Sequence, residues 1–261
     1  AVPVGQNLSR EILVPFPVES ALSGIMEHHE RLWYRRTFTV PSGWNGKRIL
    51  IHFGAVDWES EVYINGHSLG IHKGGYDPFS YDITPYLNPT GPQELIVRVY
   101  DPTINYGQPR GKQTTHPEGI MYTPTTGIWQ TVWLEPVPET SISSLKITPD
   151  IDNNRLKLTV NTKGSTSGIT VTATAKDGGT TVGTVSGNPN TELYLNIPNP
   201  KLWSPDNPFL YDLIVDLKSG STIIDSVQSY FGMRKISVSN VGGYQKLMLN
   251  NQFLFQMGTL D

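Results

Sequence analysis

The side chains of this chain that could do chemistry are plentiful but scattered. Acid/base hydrolysis needs two carboxylates facing one substrate. Glu19, Glu27, Glu30, Asp57, Glu59, Glu61, Asp77, Asp82, Asp101 and Glu118 are spread over strand-like runs and turns, and their spacing pairs none of them. Asp82 in "YDIT" reads as a turn cap. His28-His29 and the isolated His52, His67, His72 and His116 lack an H-x-x-x-H spacing, and His67 and His72 are separated by a hairpin strand and Gly70. No serine stands in a G-x-S-x-G setting. "HKGGY" has adjacent glycines but neither a following helix nor a Lys-Ser/Thr pair, so it reads as a tight bend and not a phosphate loop. No metal and no cofactor is expected.

The aromatic residues suggest a different chemistry. Sugar rings have apolar C–H faces and polar edges, and indole suits the faces. Trp33, Trp44, Trp58, Trp129 and Trp133 all precede residue 138. Trp129 and Trp133 lie an even number of residues apart in "IWQTVWLE", which predicts one shared strand face, more suited to core than to surface. Trp58 ends a strand-like run in "GAVDWES"; exposure and burial are equally open for it.

These side chains need elements to position them. In 261 residues, 37% are hydrophobic and 16% charged, enough apolar mass for a core. The length suits two domains. Gly 25 and Pro 20 favour strands and turns over helices. A formal net charge of -3 argues against nucleic-acid binding. No apolar run is long enough for a membrane-spanning helix. There is no cysteine, so disulfides and thiolate chemistry are excluded. The compartment is left open, with a periplasmic or extracellular bacterial setting favoured over a cytoplasmic one.

Most of the chain alternates with period two. "RLWYRRTFTV", "KRILIHF", "SEVYING", "QELIVRVYD" and "WQTVWLEPV" are bounded by Gly, Asn or Pro, which indicates a sandwich or barrel. Asn65-Gly66 in "VYINGHSLG" predicts a tight hairpin turn. "VESALSGIMEHHERLW" has room for one helical turn, ended by Gly24. From residue 141 the chain is rich in Thr, Ser, Val and Ile, and about seven strands follow up to residue 236, the spacing of an immunoglobulin-like sandwich without its disulfide. The tail "KLMLNNQFLFQMGTLD" alternates Leu247, Leu249, Phe253 and Phe255 about a turn at Asn250-Asn251. Spacing alone thus supports an all-β chain of two β-sandwiches and leaves carbohydrate binding open.

Longer stretches carry a resemblance. "WYRRTFTVPSGWNGKRILIHFGAVDWESEVYINGHSLGIHKGGYDPFSYDIT" and "TTGIWQTVWLEP" resemble the sugar-binding domain that opens glycoside hydrolase family 2 enzymes, which include β-galactosidases, β-glucuronidases and β-mannosidases. "KLWSPDNPFLYDLIVDL" and "FGMRKISV" are similar to that family's immunoglobulin-like second domain. "LMLNNQFLFQMGTLD" resembles the entry to its (β/α)8 barrel. The resemblance implies a jelly-roll-like, galactose-binding-like sandwich over 1–137, an immunoglobulin-like sandwich over 138–237, and a truncated entry hairpin and first barrel strand over 238–261. Both catalytic glutamates of the family belong to the barrel, so no catalytic residue is expected here, and the chain is expected to be inactive alone. The strand that usually opens the family, around "L-N-G-x-W-x-F", is not found either.

In several galactosidases and glucuronidases the first domain lends an acidic residue six positions before the Gly-Ile of its last strand. Met121 stands at that position, counted from Gly127, so specificity for those sugars by that route is in doubt. The long loop 106–127 is polar and rich in Pro and Gly, and function concentrates in such loops. Arg110, His116, Glu118 and Tyr122, with Trp58, are the expected substrate-binding residues, and Lys112 is a further candidate; the competing reading is a solvated loop that only the barrel orders. The expected partners are a carbohydrate substrate in the full-length enzyme, the missing barrel, and a second copy associating through the C-terminal strand. Residues 245–256 are expected to form a two-stranded hairpin, with 257–261 touching another molecule or poorly ordered. The alternatives are a stand-alone carbohydrate-binding module and a β-sandwich adhesion protein.

Overall fold

The computed structural model describes residues 1–259, and the chain divides into two compact units, Ala1–Val137 and Pro138–Asp261. Every element is a strand or a single 3-10 turn among the described residues, so the chain is all-β, as its periodicity predicts.

In the first unit the strands are β1 (Arg31–Phe38), β2 (Arg48–Phe53), β3 (Val56–Asp57), β4 (Glu59–Ile64), β5 (His67–Lys73), β6 (Phe79–Asp82), β7 (Gln93–Tyr100), β8 (Gly127–Ile128) and β9 (Val132–Val137). They form a jelly-roll-like sandwich with sheets ordered β1-β7-β4-β5 and β6-β2-β9, plus the short pair β3-β8. Alternation decides which side is buried. Along β2, Ile49, Ile51 and Phe53 point into the core while Arg48, Leu50 and His52 are only partly covered. Each such buried side chain contributes roughly 1.5–3 kcal/mol over an exposed one. Asn65 and Gly66 close the β4–β5 hairpin at φ 49° and 82°, a two-residue turn that needs positive φ. Asp82 caps its turn: Thr84 N and Oγ1 both donate to Oδ1, at 3.0 and 2.6 Å. Gly24 ends the one-turn helix Ala21–Ser23 in the left-handed region.

The paired-tryptophan expectation is overturned. A break at residues 129–131 separates β8 from β9, so Trp129 and Trp133 do not share one strand. Trp129 is half-buried and donates its Nε1–H to the Gly75 carbonyl at 2.7 Å, whereas Trp133 is 45% exposed. Parity holds only within an unbroken strand.

The second unit holds seven strands in a sandwich: β10 (Ser141–Asp150), β11 (Arg155–Lys163), β12 (Ile169–Asp177), β13 (Thr180–Gly187), β14 (Glu192–Asn196), β15 (Tyr211–Ser219) and β16 (Thr222–Phe231). The sheets are β10-β11-β14 and β13-β12-β15-β16. Leu156, Leu158, Leu195, Leu213, Val215 and Leu217 are fully buried between them. β13 has weak apolar alternation because its glycines are required by packing. A Cβ on Gly183 would overlap the Asn196 carbonyl, and one on Gly187 would lie 2.5 Å from Leu193.

Beyond this sandwich, β17 (Ile236–Val241), β18 (Tyr244–Leu249) and β19 (Gln252–Phe253) form a three-stranded meander. The two-stranded expectation overlooked β17, which pairs along all of β18. Asn250 and Asn251 do make the predicted turn, both at positive φ. The register then pairs Met248 with Phe253, so Phe253 shares the Met248 face and not that of Leu247 and Leu249. Ile236, Val238 and Leu247 lie on one face, 69%, 60% and 50% exposed. Phe255 and Met257 are also exposed. Leu260 and Asp261, part of the predicted contact segment, lie outside the described residues.

Candidate functional site

Residues 101–126 leave β7 and return at β8, and a set of buried polar groups fastens them to the first sandwich. Asp101, the first residue of the loop, and Asp57, on β3, are both buried. Asp101 accepts hydrogen bonds from Thr103 N at 2.8 Å and from Thr126 Oγ1 at 3.0 Å, which ties the two ends of the loop to one carboxylate. Thr126 N donates to Glu19 Oε2 at 2.9 Å, and the other Glu19 oxygen lies 2.8 Å from His28 Nδ1. Gln108 donates to the Thr103 carbonyl at 2.9 Å.

Gln113 is the central fastening. Its Nε2 donates to Asp57 Oδ2 at 3.0 Å, and its Oε1 accepts from Thr125 N at 2.6 Å. Its backbone bridges to Tyr122, where Thr114 N donates to the Tyr122 carbonyl and Tyr122 N to the Lys112 carbonyl, each at 2.9 Å. Gly75 packs directly against the Asp57 carboxylate, where a Cβ would overlap it. Burial drives the Asp57 carboxyl up to about 7; Asp101 and Glu19 push the same way, while the Gln113 hydrogen bond opposes them. Asp101 is also raised, chiefly by burial, against the hydrogen bonds from Thr103 and Thr126.

An aromatic rim lies above this base. Tyr76 and Tyr106 are 51% and 60% exposed. Tyr76 packs edge-on to Trp129, with ring centres 6.1 Å apart, and its hydroxyl lies 3.5 Å from Gln113 Nε2. Tyr106 leans on Trp58 at 5.2 Å, with Lys73 Nζ 5.4 Å from the indole centre.

Among the residues expected to bind substrate, Trp58 resolves to the buried alternative, 8% exposed beneath Tyr106. Tyr122 is exposed, with Lys112 Nζ 5.7 Å from its ring centre. Arg110 stands at the foot of the loop, where its carbonyl accepts from Gln113 N at 3.2 Å. His116 and Glu118 are exposed at the tip, held by backbone bonds from His116 N to Thr114 Oγ1 and from Met121 N to the Glu118 carbonyl. The loop thus brings Arg110 and Tyr122 to its base and carries His116 and Glu118 outward. Its hydrogen bonds run within the loop and to the first sandwich. Sequence reasoning missed Gln113, Gln108, Tyr76 and Thr126; only Asp57, a carboxylate at an inward position of a strand-like run, carried a readable signal.

Comparison with known proteins gives two family matches in order along the chain. Residues 5–136 match the family described as "Glycosyl hydrolases family 2, sugar binding domain", and residues 140–234 match "Glycosyl hydrolases family 2". A putative beta-glucuronidase of Formosa agariphila is 32% identical over 87% of this chain and 27% of its own length. A beta-galactosidase of Thermoanaerobacter pseudethanolicus is 29% identical over 81% of this chain and 29% of its own. The chain spans about a quarter to two-fifths of the length of such curated relatives. Among solved structures, a beta-glycosidase from Bacteroides vulgatus superposes with a TM-score of 0.69 and 30% identity over 87% of this chain and 28% of that one. A b-glucuronidase from Ruminococcus gnavus superposes with a TM-score of 0.79 over 98% of this chain and 44% of that one; at 22% identity this is a likeness of fold.

Proposed function

The chain belongs to glycoside hydrolase family 2, and from that premise we propose that it is the non-catalytic, carbohydrate-facing part of an enzyme that hydrolyses O-glycosidic bonds. The observation that carries this reading is the ordered pair of matches, over 5–136 and 140–234. The acid/base and nucleophile carboxylates then belong to the remainder of the parent enzyme. The division is residues 1–137 as the sugar-binding-like sandwich, 138–237 as the immunoglobulin-like one, and 238–261 as the entry to a catalytic barrel.

Within this reading, the loop 101–126 reaches the saccharide. Arg110, His116, Glu118 and Tyr122 supply the contacts, and Trp58 backs Tyr106 from below. Rigid fastening of the loop supports this, because a preorganised contact loses less entropy on binding. The chain alone is expected to show only background turnover of aryl β-glucuronides and β-galactosides, whereas the full-length parent turns over at least one aryl glycoside. Turnover by the chain that survives re-purification and scales with protein would refute the assignment.

The apolar face of Ile236, Val238 and Leu247 is, on this reading, covered by the barrel in the parent and by a second copy in the isolated chain. Sedimentation of the chain is expected to show concentration-dependent association. The double substitution Val238→Asp and Leu247→Asp should abolish it, since each buries a charge at the contact. Identical monomeric behaviour of both proteins would count against a sticky face.

A further inference from the structure

On the outer side of the sheet β6-β2-β9, a second surface has the form of a sugar platform. Trp133 on β9 is the cross-strand neighbour of His52 on β2. The two rings stack almost parallel, 12° between planes and 4.8 Å between centres. Imidazole therefore covers one indole face, and Trp133 is still 45% exposed. The imidazole is held by a hydrogen bond at Nδ1, and the carboxylate of Glu135 lies beside its Nε2. His52 Nδ1 shares a 2.6 Å hydrogen bond with Ser80 Oγ, and Nε2 lies 2.9 Å from Glu135 Oε2. Ser80 is exposed, and the Glu135 side chain is 48% exposed, so both also face solvent beside the indole. Further along the face, Asp82 pairs with Arg48 at 2.9 Å.

We infer that Trp133, seated on His52 and flanked by Ser80 and Glu135, is a carbohydrate-binding platform for a neutral hexopyranose chain, built from residues other than those of the loop. A flat indole face parallel to its support matches the C–H face of a pyranose ring, and the flanking hydroxyl and carboxylate match its hydroxyl rim. A ring held by Ser80 at Nδ1 and stacked on the indole keeps the indole in place before the ligand arrives, which limits the entropic cost of binding. The flanking charge selects the ligand class. Glu135 and Asp82 are carboxylates and the one cation among these residues, Arg48, is already paired, so a uronate would be repelled.

The test is calorimetric titration of the whole chain with soluble neutral oligosaccharides of gluco, galacto and manno configuration, and with a uronate oligomer of equal length. At least one neutral series should bind, and the uronate should bind more weakly. Trp133→Ala should weaken binding at least about tenfold, the scale of one lost stacking contact. Trp133→Tyr should retain part of it, and both variants should unfold at the parent's midpoint. Tyr230→Ala, an exposed aromatic of the second unit, should leave this binding unchanged. Failure of every neutral oligosaccharide to bind, or equal binding by Trp133→Ala, overturns the platform. Equal or tighter uronate binding overturns the ligand class. Neither result touches the glycosidase reading, which is judged on turnover by the parent enzyme.

Discussion

Replacing Gly127 by Ala is expected to cost the first unit about 3–5 kcal/mol, a large part of the stability of an ordinary domain. Two effects add. Gly127 sits at φ 85°, where an L side chain is strained by about 1–3 kcal/mol. Its Cβ would also overlap the Tyr34 hydroxyl and come within 3.3 Å of Leu32 Cδ1, and such overpacking costs about 1–3 kcal/mol. Tyr34 cannot readily swing aside. Its side chain packs against the core, burial holds its hydroxyl up to about 12, and that oxygen accepts from Ile128 N at 3.4 Å. Gly127 also pairs with Asp57 across β3–β8, so the damage reaches the base of the loop 101–126. Denaturant unfolding followed by near-ultraviolet circular dichroism measures the loss. A decrease below about 1 kcal/mol would mean that Tyr34 relaxes freely and that the packing described for it is wrong.

The pH dependence of stability provides the second large effect, and its sign is unusual for a carboxylate. Asp57 is raised to about 7 in the fold, above its ordinary value of 3.8. Below about pH 4 it is protonated in both the folded and the unfolded chain. As pH rises from about 4 to about 7, the unfolded chain loses the proton while the fold retains it, so stability falls across that window. Above about 7 both states are ionised and the loss is complete. At about 1.4 kcal/mol per pH unit, the ceiling is about 4 kcal/mol. Asp101 and Glu19 face the same region and raise Asp57 further. Asp57→Asn keeps an oxygen to accept the Gln113 amide hydrogen but carries no charge. The variant should therefore lose much of the decline between pH 4 and pH 7 and exceed the parent in stability at about pH 8. The difference between the two proteins is the quantity to measure, because Asp82 is lowered and contributes with the opposite sign in both. Parallel profiles for parent and variant would show that Asp57 does not titrate in this range.

The two effects meet at one place. Gly127, Gly75, Asp57 and Gln113 form the seat on which the loop 101–126 is fixed, and the loop carries Arg110, His116, Glu118 and Tyr122. If the loop reaches the saccharide as proposed, loosening that seat should lower saccharide binding without altering any of those four residues.

The amino-acid sequence by itself determined the elements that depend on near neighbours. Alternating apolar residues in "RILIHF" and "LYDLIVDL" specify β2 and β15, because successive side chains of a strand point to opposite faces. Asn65-Gly66 specifies its hairpin, Asp82 its turn, and Gly24 the end of a helical turn, each through backbone geometry within four residues. Motif order along the chain also placed it in its family. The tertiary structure alone decided what depends on distant residues. The burial of Trp58 under Tyr106, the separation of Trp129 from Trp133, and the pairing of β17 with β18 all depend on where strands break and which edges meet. The loop 106–127 reads as solvated in the sequence because its polar residues have no local partners. Gln113 finds Asp57 56 positions away, and Thr126 finds Glu19 107 positions away. A periodic pattern records which way a side chain points from its own strand, but a buried hydrogen bond between distant residues exists only once the chain has closed around it.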